Sequence, residues 1–470
     1  MKSIKKMKKI LTPQDIQSGN FGLEKEGVRI NDDATLTQTP HPKQFGDKLK
    51  NPYITTDFSE SQIEIVTPTF ETINETYNFL SLIVDIVNEN IKPNEYIWTQ
   101  SIPPILPEDD SDIPIAKYNN QKDGQQAEKY RMNLANKYGT KKQLISGIHY
   151  NFSLKDETIK KLYDNYDSNY TYREFKDQIY LKIVRNYLRY RWLIIYMTGA
   201  SIAADSTFID ECLKLTNHKD NKNAYYSTNA TSFRNASCGY KNIKELFPRF
   251  DSVDHFIDDV NQFIKDGELS EAKELYTQIR LKAKDPTNMM KSLKKDGIQY
   301  IELRTVDINP FDKNGISINE MKFLHIFLIY LLFKEETNYI KWQEEGFINE
   351  EKVAEESFNP EMRLTRDNKE IKLKTWSNEI INEISQINDV FNLDYDDTIA
   401  NMYAKIENPE NTYAKKLIHL IEDEGFIESQ LKLAQKYKKQ SKKSLKMKLE
   451  NSSDAQKYYN MAIADDNIQS

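Results

Sequence analysis

The chain has 470 residues, of which 39% are hydrophobic and 29% charged, and its formal net charge is −7. That balance describes an ordinary globular protein and leaves no basic footprint for nucleic acid. Length alone fits either one large core or two domains.

Residues 1–9 are basic, yet no apolar segment of signal-peptide length follows them. A short helix is expected over 12–18, with Pro13 at the first helical position, where its missing N–H costs least. The next segment, Phe21-Gly22-Leu23-Glu24-Lys25-Glu26-Gly27-Val28-Arg29-Ile30, reads as a strand, so Glu24 and Glu26 share one face. A lone Glu-x-Glu is more often the solvated face of an edge strand. In a sheltered site two carboxylates about 4 Å apart repel by roughly 4 kcal/mol and call for protons or cations. The chain then turns through Asn31-Asp32-Asp33 and returns over 35–37.

Residues 54–67 form a β-rich run that stops at Pro68 and carries Asp57, Glu60 and Glu64. Asp57 and Glu64 have opposite strand parity, so both reach one site only if the segment bends between them. Apolar residues at helical spacing predict a helix over 71–89. Residues 103–126, rich in Pro, Asp, Asn and Gln, read as an irregular loop, either a lid or a surface excursion. A helix over 127–137 then carries Tyr130, and a strand over 143–153 carries Gln143, His149 and Asn151. The stripe of Phe175, Ile179, Ile183, Tyr187, Trp192, Ile195 and Tyr196 predicts one long helix over 172–198, ended by Gly199.

Residues 211–234 look polar and irregular, while 253–265 and 269–275 look helical. In Gln299-Tyr300-Ile301-Glu302-Leu303-Arg304-Thr305, Glu302 and Arg304 share one face and Ile301 and Leu303 the other. A strand that buries one face and shows acid and guanidinium on the other is lining something. Beyond Ser317 helices dominate: a capped one to Lys334, then 349–356, 374–389, 413–424 and a Lys-rich stretch over 430–450 read as a solvated helix. The longest apolar run, 321–333, is too short to cross a bilayer, so a cytoplasmic protein without membrane contact is expected. Cys212 and Cys238 are too few and too ill-spaced for a disulfide framework or a zinc site and are read as reduced structural thiols.

Gly22-Leu23-Glu24-Lys25-Glu26, Ile54-Thr55-Thr56-Asp57-Phe58-Ser59-Glu60, Ser146-Gly147-Ile148-His149-Tyr150-Asn151-Phe152, Ser232-Phe233-Arg234 with Gly239-Tyr240, and Tyr300-Ile301-Glu302-Leu303-Arg304 through Asp307-Ile308-Asn309-Pro310-Phe311 resemble, in order, the bacterial glutamate-cysteine ligases. The resemblance runs from about residue 15 to about residue 335. It implies an α+β protein whose mainly antiparallel sheet curls into an open half-barrel of the glutamine-synthetase type, with helices outside and a helical C-terminal part. The catalytic core is expected over 1–335 and a helical extension packed on it over 336–470.

The resemblance also implies synthesis of γ-glutamylcysteine from ATP, glutamate and cysteine, the first step of glutathione synthesis. No glycine-rich phosphate loop of either common kind occurs, so Mg²⁺ or Mn²⁺ held by carboxylates is the expected phosphate partner. The family's ligand set maps onto Glu24, Glu26, Asp57, Glu64, His149 and Glu302. Arg304 is placed beside the γ-phosphate of ATP and Arg234 on the α-carboxylate of glutamate. Gln143 and Asn151 fit polar positions around the substrate, Tyr130, Tyr240 and Tyr276 look like the tyrosines around cysteine, and 276–282 resembles the family's strand that brings such a tyrosine to the substrate side. Some relatives continue into a glutathione synthetase; here only the first step is expected. Where the family commonly has an acid after the arginine, this chain reads Asn235-Ala236-Ser237-Cys238. That departure leaves open a ligase of the same fold that uses another amine. A ligand-binding relative without turnover is the second alternative.

Overall fold

The computed structural model describes residues 4–119, 121–167 and 169–464. Its main sheet is built from β1 (Asn20–Ile30), β2 (Ile54–Thr56), β3 (Gln62–Val66), β4 (Tyr96–Ile97) and β5 (Ile148–Ser153). A small separate sheet holds β6 (Ala203–Asp205), β7 (His218–Lys219) and β8 (Ala224–Tyr226), and the main sheet is completed by β9 (Ile279–Lys282) and β10 (Tyr300–Val306). The strand order is β2-β3-β1-β5-β10-β9, with β4 paired to the far end of β1. Every pairing is antiparallel, and the two ends of that order do not meet, so the sheet is open.

Alternation sorts the side chains. Leu23, Ile63, Ile65, Ile148, Tyr150, Phe152, Ile301 and Leu303 are buried on one face, which is how a half-covered sheet hides its apolar residues. The helix Ile73–Asn90 packs against β1 and β3 on that side, and Ile318–Phe333 lies beside it and beside Tyr172–Tyr190. The helix Ile318–Phe333 is buried almost all round, and Ser317 and Glu320 close the expected capping box at its start. Thr12 and Asp15 do the same for Pro13–Gln17.

Several expectations need correction. The run over 54–67 is a hairpin, β2 and β3, rather than one strand. The strand expected from residue 143 begins at Ile148, and Gln143 closes a short helix, Thr140–Gln143. The long helix breaks at Arg191 into Tyr172–Tyr190 and Trp192–Thr198, and the Arg191 guanidinium pairs with buried Glu350 at the break. Residues 269–275 hold only a short 3-10 turn, Ala272–Glu274, and Tyr276 lies in the loop before β9. The polar stretch over 211–234 supplies β7 and β8, whose two- and three-residue strands are too short for any period to show. Cys212 and Cys238 are joined as a disulfide, with sulfurs 2.04 Å apart, and are not free thiols. The irregular loop over 103–126 ends earlier than expected because the helix Lys122–Tyr138 begins there; residue 120 lies outside the described residues, as do residues 1–3 of the basic lead.

The C-terminal helices wrap the back of the sheet. Phe426–Asn451, the Lys-rich helix, runs along Ile73–Asn90 rather than standing free in solvent. Lys448 Nζ reaches the fully buried Asp85 at 2.7 Å, where Lys313 also pairs. Tyr437 donates to the Pro310 carbonyl at 2.8 Å. No helix among the described residues is long and apolar enough to cross a membrane.

Candidate active site

The register of the sheet gathers the acids. Glu26 stands opposite Glu64, Glu24 opposite His149, and Glu302 opposite both Asn151 and Arg280. Directly opposed side chains share a face, so one face of five adjoining strands carries all of them. The turn between β2 and β3 brings Asp57 over the same face, which resolves its parity conflict with Glu64. That turn is held firmly: Arg131 donates to the carbonyls of Asp57 and Thr56, and buried Glu60 accepts from the backbone N–H groups of His41 and Lys117 at 2.5 Å each and pairs with Lys48.

Together these residues line a cleft of about 250 Å³. Glu24, Glu26, Asp57, Glu64, His149, Glu302, Arg304, Arg234, Gln143, Tyr130, Tyr240 and Tyr276 all border it. Asn151 stands just behind, its amide donating to Glu24 Oε1 at 3.0 Å. His149 Nδ1 lies 3.0 Å from the other Glu24 oxygen, and His149 Nε2 lies 3.5 Å from Glu26 Oε1. One Glu26 oxygen accepts the Gly147 N–H at 2.8 Å. Arg304 Nη1 donates to Glu302 Oε1 at 2.7 Å, and Lys282 pairs with the second oxygen of Glu302.

Electrostatics divides the acids into two groups. Burial drives Glu64 well above the usual carboxylate range, and Asp57 and Glu24 add to it; burial and then Glu26 push Asp57 up to about 6. Burial opposes ionisation of Glu302 as well, but Lys282 and Arg304 hold it well below the ordinary value. For Glu24, burial and Glu302 push upward while the hydrogen bond with His149 brings the net shift downward. A site with acids of both kinds is short of positive charge on the Asp57 and Glu64 side.

Ligand atoms of Glu24, His149 and Glu302 all lie within 4.8 Å of one another, a spacing that one cation could bridge. Oxygen-rich donors of this kind suit Mg²⁺ or Mn²⁺ better than zinc. Buried polar atoms without hydrogen-bond partners cluster here too: His149 Nε2, Asn151 Oδ1, Gln143 Nε2, Arg234 Nη1 and Arg304 Nε. Unpaired polar atoms at an open cleft are free to meet a ligand, as native interiors seldom leave such groups unsatisfied.

Arg234 is positioned by a network reaching into the core. Buried Asp307 accepts from the Ala200 N–H at 2.9 Å, Ser201 Oγ at 2.7 Å and Ser232 Oγ at 2.9 Å. Ser201 Oγ in turn accepts the Arg234 N–H at 3.3 Å. The guanidinium lies against Gly147, where any side chain would overlap it. Tyr240 and Tyr276 meet edge to face with centroids 5.0 Å apart, and Arg304 stands over the Tyr276 ring at 5.8 Å.

The glutamate-cysteine ligase family model matches residues 4–269 and 264–353. The chain belongs to this family. A glutathione biosynthesis bifunctional protein of Clostridium perfringens is 43% identical over 424 residues, covering 89% of this chain and 54% of the relative. Its counterpart in Listeria welshimeri is 38% identical, with the same two coverages. The chain thus spans about half the length of these curated relatives. A glutamate–cysteine ligase of Clostridium acetobutylicum is 36% identical over 437 residues, 84% of this chain and 90% of the relative. Among solved structures, the glutamate–cysteine ligase of Francisella tularensis in complex with AMP superposes with a TM-score of 0.85 at 26% identity, covering 95% of this chain and 92% of that one.

Sequence reasoning missed Arg280, Lys282, Lys273 and Lys142, which line the cleft, and Arg131, which holds the Asp57 turn beside it. Arg280 and Lys282 carried a readable signal, since Ile279-Arg280-Leu281-Lys282 alternates like the acidic strands. Arg131, Lys142 and Lys273 carried none, because a helix surface and a single 3-10 turn offer no parity to read.

Proposed function

We propose that the chain joins the γ-carboxylate of glutamate to the amine of cysteine at the expense of ATP, giving γ-glutamylcysteine, ADP and phosphate. This is the first step of glutathione synthesis and would take place in the cytoplasm. The observation that carries the reading is the convergence of Glu24, Glu26, Asp57, Glu64, His149 and Glu302 with Arg304 on one sheet face, in a chain of this family.

In the proposed sequence a γ-carboxylate oxygen of glutamate attacks the γ-phosphorus of ATP and ADP leaves. The cysteine nitrogen then attacks the acyl carbon, phosphate departs and the amine gives up its proton. Magnesium or manganese, held by Glu24, His149 and Glu302 with Glu26, Asp57 and Glu64 beside them, would neutralise the triphosphate and the charge on the transferred group. Arg304, whose Nε has no protein partner, holds its positive charge against developing charge on the phosphoryl oxygens. Arg234, with Nη1 free in a buried seat, binds the α-carboxylate of glutamate, and Gln143 and Asn151 supply polar contacts beside it. Tyr130, Tyr240 and Tyr276 enclose the acceptor.

The same reading takes the sheet as a curled half-barrel whose catalytic part spans residues 1–335, with 336–470 as a helical shell. The test is incubation of purified protein with ATP, Mg²⁺, glutamate and a panel of amines. Formation of γ-glutamylcysteine with ADP supports the assignment. ADP release with a different amine moves it to another acceptor, and metal and ATP binding without turnover rejects catalysis altogether.

A further inference from the structure

One guanidinium in the cleft has no task in the reaction just proposed. Arg280 stands on β9, at the edge of the sheet and directly across from Glu302. It donates from Nη2 to a backbone carbonyl, that of Lys273, at 3.1 Å. Burial and the neighbouring Arg304 both disfavour its charge. Two guanidinium groups facing one cleft repel each other and hold a place for an anion.

Arg280 and Lys282 share one face of β9, two residues and so about 7 Å apart along the strand. Lys282 pairs with Glu302, feels Glu24 and lies 5.9 Å from the Tyr300 ring, toward the acids and the expected polyphosphate. Arg280, across from the same Glu302, is tied through the Lys273 carbonyl to the segment whose Lys273 ammonium lies over the Tyr130 ring at 3.6 Å, and Tyr130 and Tyr240 act on it beside Glu302. It therefore belongs to the aromatic end. The other cations near it have carboxylate partners: Arg304 holds Glu302, and half-exposed Lys273 pairs with Glu271 at 3.4 Å.

An acceptor amino acid must keep its amine free to attack, so the amine cannot serve as the fixed handle. Its carboxylate is the remaining permanent charge. We propose that Arg280 binds the α-carboxylate of the acceptor and so selects α-amino acids over simple amines. The guanidinium fork suits a carboxylate in two parallel hydrogen bonds, and the inference rests on the ligase reading above.

The experiment compares cysteine with cysteamine, the same acceptor without its carboxylate, in the wild-type chain and in Arg280→Ala and Arg280→Gln. In both variants kcat/KM for cysteine is expected to fall about ten- to hundredfold, the range of a charged hydrogen bond. Turnover of cysteamine and the KM values for ATP and glutamate should stay within about threefold, which also shows that the variants are folded. Equal losses with the two acceptors overturn the inference, as does a KM rise confined to glutamate or ATP, or a Gln variant that keeps the wild-type preference. A wild-type chain inactive with every acceptor rejects the ligase reading itself, whereas an active one whose preference survives the substitutions rejects only the role of Arg280.

Discussion

The crowding of carboxylates has a measurable cost in the ligand-free protein, and Asp57→Asn isolates part of it. Burial and then Glu26 raise the folded pKa of Asp57 from 3.8 to about 6. A carboxyl raised in this way favours the folded state while protonated. That contribution is complete below the unfolded value and is lost as pH rises through about 6. A shift of about two units corresponds to ~3 kcal/mol at 1.36 kcal/mol per unit; partial solvent access reduces this to about 1 kcal/mol. Asparagine removes the charge but keeps the shape. Arg131 holds the turn through backbone carbonyls, so it keeps its hydrogen bonds in the variant. The variant should therefore gain stability at pH 8 relative to wild type and gain little at pH 4.5. In a chain of this length about 1 kcal/mol is about 1 °C in Tm, readable by paired calorimetric scans. Glu64 is raised as well, by burial first and then by Asp57, so the substitution relieves part of its shift too. Saturating Mg²⁺ with an ATP analogue should invert the order at pH 8, since a cation favours the ionised wild-type site and stabilises by mass action. A variant less stable than wild type at pH 8 without ligands, or equally changed at both pH values, would refute the charge-crowding argument.

Four further outcomes are expected. Arg304→Lys should lower kcat by about 10²- to 10³-fold with little change in the KM for glutamate, because a point charge cannot bridge two phosphoryl oxygens; steady-state kinetics reads this directly. Gly147→Ala should raise the KM for glutamate by about tenfold or more, since the new Cβ overlaps the Arg234 guanidinium; substrate titration of the purified variant checks it. Asp85→Ala should lower stability by about 3–5 kcal/mol, because it strands Lys313 and Lys448 around a vacated buried site; chemical unfolding followed by circular dichroism measures the loss. Chelation of divalent ions should abolish ADP release, and Mg²⁺ should restore it, because the acids gathered around Glu24, His149 and Glu302 cannot otherwise meet a triphosphate.

The sequence displayed the cleft more fully than it displayed the frame that carries it. Glu24, Glu26, His149, Glu302 and Arg304 sit on strands long enough for alternation to be read, and register then sets Glu24 opposite His149 and Glu302 opposite Asn151. The short sheet of β6, β7 and β8 was invisible, because strands of two or three residues have no measurable period. The break at Arg191 was hidden for a different reason. Apolar residues continue on one stripe through it, and the ion pair with Glu350 depends on a helix that enters far later in the chain. The Lys-rich helix is solvated on the face that Lys432, Lys436, Lys439, Lys442, Lys443 and Lys446 present, but the partner of Lys448, Asp85, lies in a different helix and could not be read locally.

What local pattern could not supply was how the acids are balanced against each other. Glu302 pairs with two cations, Lys282 and Arg304, whereas other carboxylates act on Asp57 and Glu64. Those two cations come from neighbouring strands, β9 and β10, so the asymmetry is a property of sheet order. It has a chemical consequence. Lys282 and Arg304 offer positive charge to phosphate oxygens, while Glu24 and His149 beside Glu302, with Glu26, Asp57 and Glu64 next to them, offer donors for a cation. A nucleotide bound with its metal would satisfy both at once, and either component alone would satisfy one. Binding of Mg²⁺ and of ATP should therefore be positively coupled in this chain, with each tightening the other by the same factor. Calorimetric titration of each ligand with and without its partner tests that coupling. Independent affinities would mean that the two sets of charge in the cleft do not act on one ligand.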